Sequence, residues 1–162
     1  MPDEHPSITR FRAALDAAGG RGRIVVLPDS VHTAALAAEA LGCEVGAIAN
    51  SLLFAAPAAD GGTHPVLILT SGAHRVDTAK AAATIGVPAL KRATPEFVKD
   101  VTGQVIGGVS PLAHPAPIPT YLDPALRAYP EIWAAAGHPA AVFSTTYDEL
   151  LTLTRATEIE VN

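Results

Sequence analysis

The fold is organised around the stretch Gly103-Gln104-Val105-Ile106-Gly107-Gly108-Val109-Ser110-Pro111-Leu112-Ala113-His114-Pro115. A helix-like segment ends at its first glycine, an apolar pair and a Gly-Gly step follow, and further prolines continue beyond it. Glycine lets another molecule approach the main chain closely, and proline stiffens the segment that contains it. The pattern predicts a stiff loop with bare backbone at its apex, suited to binding a small polar group. The alternative is a tight turn between two strands.

Composition indicates one globular domain spanning residues 1–162. Apolar residues make up 49% and charged residues 17% of the 162 residues, which is too apolar for a disordered chain. The sequence has no apolar run long enough to cross a membrane and no apolar signal core at its N-terminus, so we expect a cytoplasmic protein. The single cysteine, Cys43, excludes an internal disulfide and a zinc site of several cysteines. The net charge of −5 argues against general DNA or RNA coating, although a local basic patch could still dock one nucleic-acid end.

Apolar residues at helical spacing, bounded by capping residues, predict five helices. They cover residues 7–18, 31–41, 78–85, 95–102 and 147–155, with caps at Ser7, at Asp29 or Ser30, at Asp77 or Thr78, at Thr94 and at Thr146. In the last helix, Thr146 and Glu149 form a capping box.

Short apolar runs between these helices predict strands. They cover residues 24–27, 45–56, 66–69, 89–92, 119–122, 131–136 and 140–143. The turn signal Asp60-Gly61-Gly62 predicts that strands 45–56 and 66–69 pair in antiparallel orientation. Together, the predicted helices and strands indicate a single α/β domain in which helices are interleaved with a mixed, largely antiparallel sheet.

Two groups of polar residues outside the glycine-proline loop are candidates for a site. Asn50-Ser51 interrupts an apolar strand, where an amide either satisfies a structural need or grips a ligand from the sheet floor. Ser71-Gly72-Ala73-His74-Arg75 precedes a helix, where a hydroxyl, a glycine and two basic side chains can hold an anion or simply cap the helix in solvent. His114 and His138 lie in loops flanked by prolines, a setting more typical of surface histidines.

No side-chain nucleophile and no metal-ligand pattern stands out. The histidines do not pair with carboxylates on one helix face, no Gly-x-Ser-x-Gly elbow occurs, and Cys43 has no adjacent base. Asp123, between a strand and Pro124, is first of all a helix cap. An enzyme of this composition, expected to need neither metal nor cofactor, would position a water or a group of the substrate itself. Backbone N–H groups would then stabilise an oxyanion.

The sequence resembles the YbaK/ProX family of aminoacyl-tRNA deacylases, the free-standing relatives of the editing domain of bacterial prolyl-tRNA synthetase. The similarity is collinear over nearly the whole chain and is carried by residues 48–54, 65–77, 107–111 and 132–138. It implies a barrel-like central sheet surrounded by helices. It also implies hydrolysis of the ester that joins a wrong amino acid to the 3′-terminal adenosine of a tRNA, commonly tRNA-Pro, with prolyl-tRNA synthetase as a further candidate partner.

The resemblance also assigns residues by position. The family's Gly-x-x-x-Pro loop falls on residues 107–111, so backbone groups of Gly107, Gly108 and Ser110, with Val109 and Pro111, are expected to face the aminoacyl carbonyl and the terminal ribose. The bend carrying Ser71, Gly72, His74 and Arg75 is expected to line the same cleft, together with Ser51 and His138. A local basic patch for the tRNA would come from Arg75, Lys80, Lys91, Arg92 and Lys99.

The chain departs from the family at Asn50, where many members have lysine. An amide cannot form a salt bridge with a phosphate, so a different amino acid, a slower reaction or no hydrolysis is expected to follow from the change. Two hypotheses therefore stand: a trans-editing deacylase in which Asn50 orients the substrate, and a module that binds aminoacyl-tRNA or a synthetase without chemistry. Specific DNA binding is disfavoured because the chain is acidic and has no basic recognition helix.

Overall fold

The computed structural model of the protein describes residues 4–28 and 33–162. The helices are α1 Pro6–Ala17, α2 Ala34–Leu41, α3 Thr78–Ile85, α4 Pro95–Thr102 and α5 Tyr147–Thr154. The strands are β1 Ile24–Val26, β2 Ile48–Pro57, β3 Thr63–Ser71, β4 Lys91–Arg92, β5 Thr120–Leu122, β6 Ile132–Ala135, β7 Ala141–Thr145 and β8 Thr157–Glu158. Two 3-10 helices, Val45–Ala47 and Pro124–Ala128, complete the described elements.

The strands form one mixed sheet in the order β1-β7-β6-β2-β3-β5-β8, with β4 paired to β2. Within the described residues, four strand pairings are antiparallel (β1–β7, β6–β7, β2–β3 and β2–β4). Three are parallel (β2–β6, β3–β5 and β5–β8). This confirms the predicted α/β class and its mixed, mostly antiparallel sheet. The sheet differs from the expected barrel-like form in being open, because the outer strands β1 and β8 do not pair with each other.

The predicted helices are all present, with two corrections at their starts. In α1 the cap is His5 and not Ser7, because Pro6 occupies the first helical position and the His5 ring accepts a hydrogen bond from the Ser7 N–H. Helix α2 begins at Ala34 with Thr33 as its cap, and the predicted caps Asp29 and Ser30 lie outside the described residues. Among the helices that are described, none is long and apolar enough to cross a membrane.

Half of the predicted capping box is present at α5. Thr146 Oγ1 accepts from the Glu149 N–H as expected, at 3.1 Å. The Glu149 carboxylate accepts instead from the hydroxyl of Thr145, at 2.8 Å. The helix start was therefore predictable from the Thr-x-x-Glu spacing, but the partner of the glutamate was not.

The central hairpin β2–β3 carries the core on both of its faces. Leu67 and Leu69 pack on the face covered by α1, whereas Ile68 packs with α3 on the opposite face, and all three are fully buried. A third apolar cluster forms between α2 and the strands near Trp133. Because alternate residues of β3 are buried on opposite sides, the hairpin lies in the middle of the domain and fixes the position of everything attached to β2.

Strand β2 is covered along its length on one side only. Strand β3 pairs with it from Ala49 to Pro57. On the other side, β6 pairs only with Ile48 and Ala49, and β4 pairs only with Phe54 and Ala55. Within the described chain, residues 50–53 thus have no strand beside them on this side. We call this interruption, at residues 50–53 of β2, the sheet gap.

Candidate active site

A cleft of about 870 Å³ lies at the sheet gap. Strand β2 forms its floor, and the walls come from the first turns of α2, from β6 and β7 and from the glycine-proline loop. Most of the lining is apolar, including Trp133 and Val109. A concave apolar site with a few polar groups is the usual form of a small-ligand pocket. The polar pair Asn50-Ser51 and the glycine-proline loop therefore line the same cleft.

Asn50 and Ser51 both line this cleft. The Asn50 side chain is half-buried and makes no hydrogen bond to any other described residue. The Ser51 hydroxyl oxygen is buried and likewise has no partner in the part of the chain that the structure describes. Asn50 therefore lacks the satisfied structural role that is the alternative prediction for its amide, and both side chains are without a partner among the described residues.

The glycine-proline loop is fixed from behind by a clamp that we define as Gln104, Ser110 and His114. The Gln104 amide oxygen accepts from the Ser110 N–H at 2.7 Å, and its nitrogen donates to the Ser110 hydroxyl at 3.0 Å. His114 Nε2 lies 2.8 Å from the Ser110 carbonyl oxygen. Ser110 is fully buried, and its hydroxyl also donates to the carbonyl of Leu112. The loop therefore holds its shape without a ligand.

The same contacts decide which loop amides are free. The Ser110 N–H is bound to Gln104, and the Gly108 N–H donates to the Val105 carbonyl at 3.0 Å. These two amides, expected from sequence to face the substrate, are thus already used. Gly107 and Val109 line the cleft, and their N–H groups have no acceptor among the described residues. Of the loop amides expected from sequence to face the substrate, those of Gly107 and Val109 therefore remain available to a ligand.

Gly108 has a packing role. A Cβ built on it would lie 2.7 Å from the nitrogen of Pro139 and 2.8 Å from the carbonyl carbon of His138, so only glycine fits between the loop and the β6–β7 turn. The His138 ring accepts from the Ala140 N–H at 3.0 Å and packs on the ring of His5. Pro111 is buried behind the loop. His138 and Pro111 thus support the loop and do not line the cleft.

The bend at residues 71–75 lies outside the lining of the cleft, contrary to the sequence-based expectation. Asp123, itself buried, accepts from the Ser71 N–H at 3.0 Å and contacts His74 Nδ1 at 2.8 Å. Its other oxygen caps the following 3-10 helix through Ala125. Gly72 packs against the carbonyl of Val45, leaving no space for a Cβ. These contacts give the bend a structural role, and its charged residue Arg75 is exposed to solvent.

Arg92 is the charged residue that the structure brings to the cleft. It is exposed, follows Lys91 in β4, and is the only Asp, Glu, Lys, Arg or His among the described residues that line the cleft. Sequence reasoning placed it in a general basic patch only. Of the other patch residues, Lys80 contacts Glu160 and Lys99 donates to the carbonyl of Gly103. A strand two residues long gave no sequence signal that Arg92 would line the same cleft as Asn50.

Burial lowers the pKa of His114 below the ordinary value for histidine. Between the lowered pKa and that of the unfolded chain, the unfolded state binds more protons, so this residue favours the fold at higher pH and the benefit is lost as pH falls. We expect the free energy of unfolding, measured by urea denaturation between about pH 8 and pH 5, to fall less in His114→Gln than in the wild type. The exposed His64 of β3 supplies the matched control, since the same substitution there removes a histidine without touching the loop. A profile unchanged by His114→Gln contradicts the assignment.

Comparison with known proteins identifies relatives over the whole site. A family model for the aminoacyl-tRNA editing domain matches residues 28–153. The uncharacterised protein YwhH of Bacillus subtilis (strain 168) is 33% identical over 123 residues, covering 75% of this chain and 74% of YwhH. A protein of known crystal structure, proposed to be a trans-editing enzyme for prolyl tRNA synthetase, is 45% identical in sequence. Its TM-score is 0.90, and the match covers 99% of both chains. A scaffold protein used in the computational grafting of epitope backbones is 41% identical, with a TM-score of 0.89 over 98% of this chain and 99% of that one.

Proposed function

Because the chain belongs to the aminoacyl-tRNA editing domain family, we propose that it is a trans-editing hydrolase that cleaves the ester of mischarged aminoacyl-tRNA. The observation that carries the proposal is the meeting of two unpaired loop amides, Gly107 and Val109, with the free side chain of Asn50 in one cleft. The similarity to a structure proposed to serve prolyl tRNA synthetase supports tRNA-Pro as the carrier.

The loop amides supply the electrostatic part of the reaction. As the ester carbonyl is attacked, negative charge develops on its oxygen. The N–H groups of Gly107 and Val109 stabilise this oxyanion. Donors held in place before the reaction cost no reorganisation, and one such donor is typically worth ~100- to 1,000-fold in rate. The clamp through Gln104 and His114 provides that rigidity.

The attacking group comes from outside the protein. The described residues that line the cleft include no carboxylate, imidazole, thiol or amine. A water molecule therefore attacks the carbonyl, either directly or after the acyl group has moved to the neighbouring ribose hydroxyl of the terminal adenosine, and Asn50 orients the substrate. The ester C–O bond breaks, and the free amino acid and the ribose hydroxyl of the tRNA are released. An activated ester needs no stronger nucleophile than one that is correctly placed.

Arg92, the one cation among the described residues that line the cleft, gives the tRNA its contact. Arg92 binds the phosphate backbone next to the terminal adenosine, and Lys91 extends this basic edge. Prolyl-tRNA synthetase is the second partner that we propose, as the source of mischarged product. Charged tRNA is produced where translation occurs, so the cytoplasm is the compartment we assign to the reaction.

A panel of mischarged tRNAs tests the proposal. Ala- and Ser-tRNA-Pro are incubated with the purified protein, and loss of the ester is followed beside a sample without protein. Wild type is expected to accelerate hydrolysis of at least one member. Asn50→Ala should lower the rate about tenfold, the loss of one hydrogen bond to the substrate. Asn162→Ala, at the only other asparagine, is the matched control. Absence of acceleration across a full aminoacyl panel would contradict the proposal.

A second function, binding without chemistry, is favoured by one observation: the described residues that line the cleft include Asn50 and no lysine. On this reading the protein binds aminoacyl-tRNA or a synthetase, and Asn50→Lys creates a hydrolytic activity that the wild type lacks. The same assay separates the two functions. If the wild type hydrolyses the ester and Asn50→Ala slows it, the binding-only function is excluded.

A further inference from the structure

The sheet gap leaves the main chain of Ser51 without a neighbouring strand. Hydrogen-bonded and non-hydrogen-bonded residue pairs alternate along an antiparallel ladder. The Gly72 N–H donates to the Ile48 carbonyl at 2.7 Å, so Ile48 belongs to a hydrogen-bonded pair. Even-numbered residues of β2 therefore direct their backbone groups to β3, and odd-numbered residues direct theirs away from it. The N–H and C=O of Ser51 consequently face the gap, beyond the last β6 pair at Ala49 and before the first β4 pair at Phe54.

The side chain of the same residue is also unpaired. Ser51 Oγ is buried and has no hydrogen-bond partner among the described residues, although Ser51 lines the cleft. A buried hydroxyl without a partner costs free energy, so a ligand that bonds to it is favoured. Three polar atoms of one residue, Oγ, N–H and C=O, are thus presented at the same place.

The chemistry of the cleft limits which group can bind there. Two of the three atoms are acceptors, and no described lining residue is Asp or Glu. A primary amine, which offers several N–H donors, fits neutral acceptors of this kind, whereas an acylated nitrogen offers only one donor and adds bulk. An amine next to a carbonyl reproduces one residue of an added strand, which is the group that a strand edge binds.

We propose that Ser51 is a specificity-determining residue that recognises the free α-amino group of the aminoacyl substrate. This inference rests on the proposed function and names the part of the substrate that binds at the sheet gap. The amine donates to the Ser51 carbonyl and hydroxyl oxygens. The loop amides of Gly107 and Val109 remain for the ester carbonyl. These bonds involve only the α-amino group of the amino acid, so the sheet gap favours a free over an acylated amine. The preference for a particular amino-acid side chain is set elsewhere in the cleft.

The experiment compares a free with a blocked amine in two ways. In the first, the hydrolysis of Ala-tRNA is measured against N-acetyl-Ala-tRNA on the same tRNA. Wild type should prefer the free amine by at least ~10-fold in kcat/KM, the value of one hydrogen bond. Ser51→Ala should slow Ala-tRNA by a similar factor while leaving N-acetyl-Ala-tRNA unchanged, so that the preference shrinks. Ser144→Ala removes a buried hydroxyl on β7 and should keep the wild-type preference.

In the second, the affinity of 3′-alanylamido-3′-deoxyadenosine, in which an amide replaces the ester, is measured against its N-acetyl form. Wild type should bind the free amine more tightly, and Ser51→Ala should reduce the difference, because the hydroxyl is lost while the main-chain carbonyl remains. Equal affinity for the two forms, or a preference untouched by Ser51→Ala, overturns the inference even if hydrolysis occurs. Amine-dependent binding without hydrolysis of any aminoacyl-tRNA supports the inference and overturns the proposed activity.

Discussion

Gly108→Ala is expected to reduce the hydrolysis of aminoacyl ester at least ~100-fold, because a displacement of about 1 Å at a catalytic group has an effect of this size. The added Cβ would lie 2.7 Å from Pro139 N and 2.8 Å from both His138 C and Pro139 Cδ. Two of these are backbone atoms of the β6–β7 turn, which cannot rotate aside as a flexible side chain can. The loop must therefore move, and the amides of Gly107 and Val109 move with it.

The variant also separates packing from catalysis. Overpacking of this kind costs about 1–3 kcal/mol of stability, so denaturation has to be measured alongside the rate. Gly61→Ala, in the β2–β3 turn, is the control, because Gly61 has a φ of +84° and no neighbour near the added Cβ. It should lose stability through backbone strain and keep the wild-type rate. If Gly108→Ala is folded and hydrolyses substrate at the wild-type rate, the loop amides are not the oxyanion donors.

Asp123→Asn is expected to lower the free energy of unfolding by about 3 kcal/mol, since it leaves buried donors without acceptors. One carboxylate oxygen receives the Ser71 N–H, the Thr70 hydroxyl and His74 Nδ1, and the other receives the Ala125 N–H. An amide has one acceptor oxygen, so either orientation of asparagine turns an NH₂ group towards donors that now have no partner.

Denaturation with urea measures this effect, and an isosteric control is available. Asp100 is exposed on α4 and makes no side-chain hydrogen bond to the described chain, so Asp100→Asn should stay within about 0.5 kcal/mol of the wild type. An Asp123→Asn protein as stable as the Asp100 variant would show that the corner at residues 71–75 is held by other contacts.

Local signals predicted most of the elements. Gly42, Gly86 and Gly103 each end a helix with positive φ, and Thr94 with Pro95 starts α4 as the sequence indicated. Such features depend on neighbouring residues and are readable from a single chain. The parallel pairings of β2 with β6 and of β3 with β5 depend on distant contacts, and the sequence did not specify them.

The candidate site was predictable only in part, for a similar reason. Polar residues within an apolar strand directed attention to Asn50 and Ser51, and a Gly-Gly step directed it to the loop. Which amide is free depends on Gln104, whose side chain takes the Ser110 N–H. No sequence pattern marked Gln104, since a glutamine between a helix end and a loop is usually solvated. Asp123 was assigned as a helix cap, which is confirmed, but its second role in holding the bend requires the fold.

The clamp behind the loop binds Ser110, and the side chains of Val105 and Ile106 at the loop tip lie outside it. These two side chains are 47% and 50% exposed, and Ile106 borders the cleft. Mutations at the tip can therefore reshape the entrance while the hydrogen-bonding geometry beneath it is preserved. Two adjacent positions thus control the width of the opening independently of the contacts that hold Ser110.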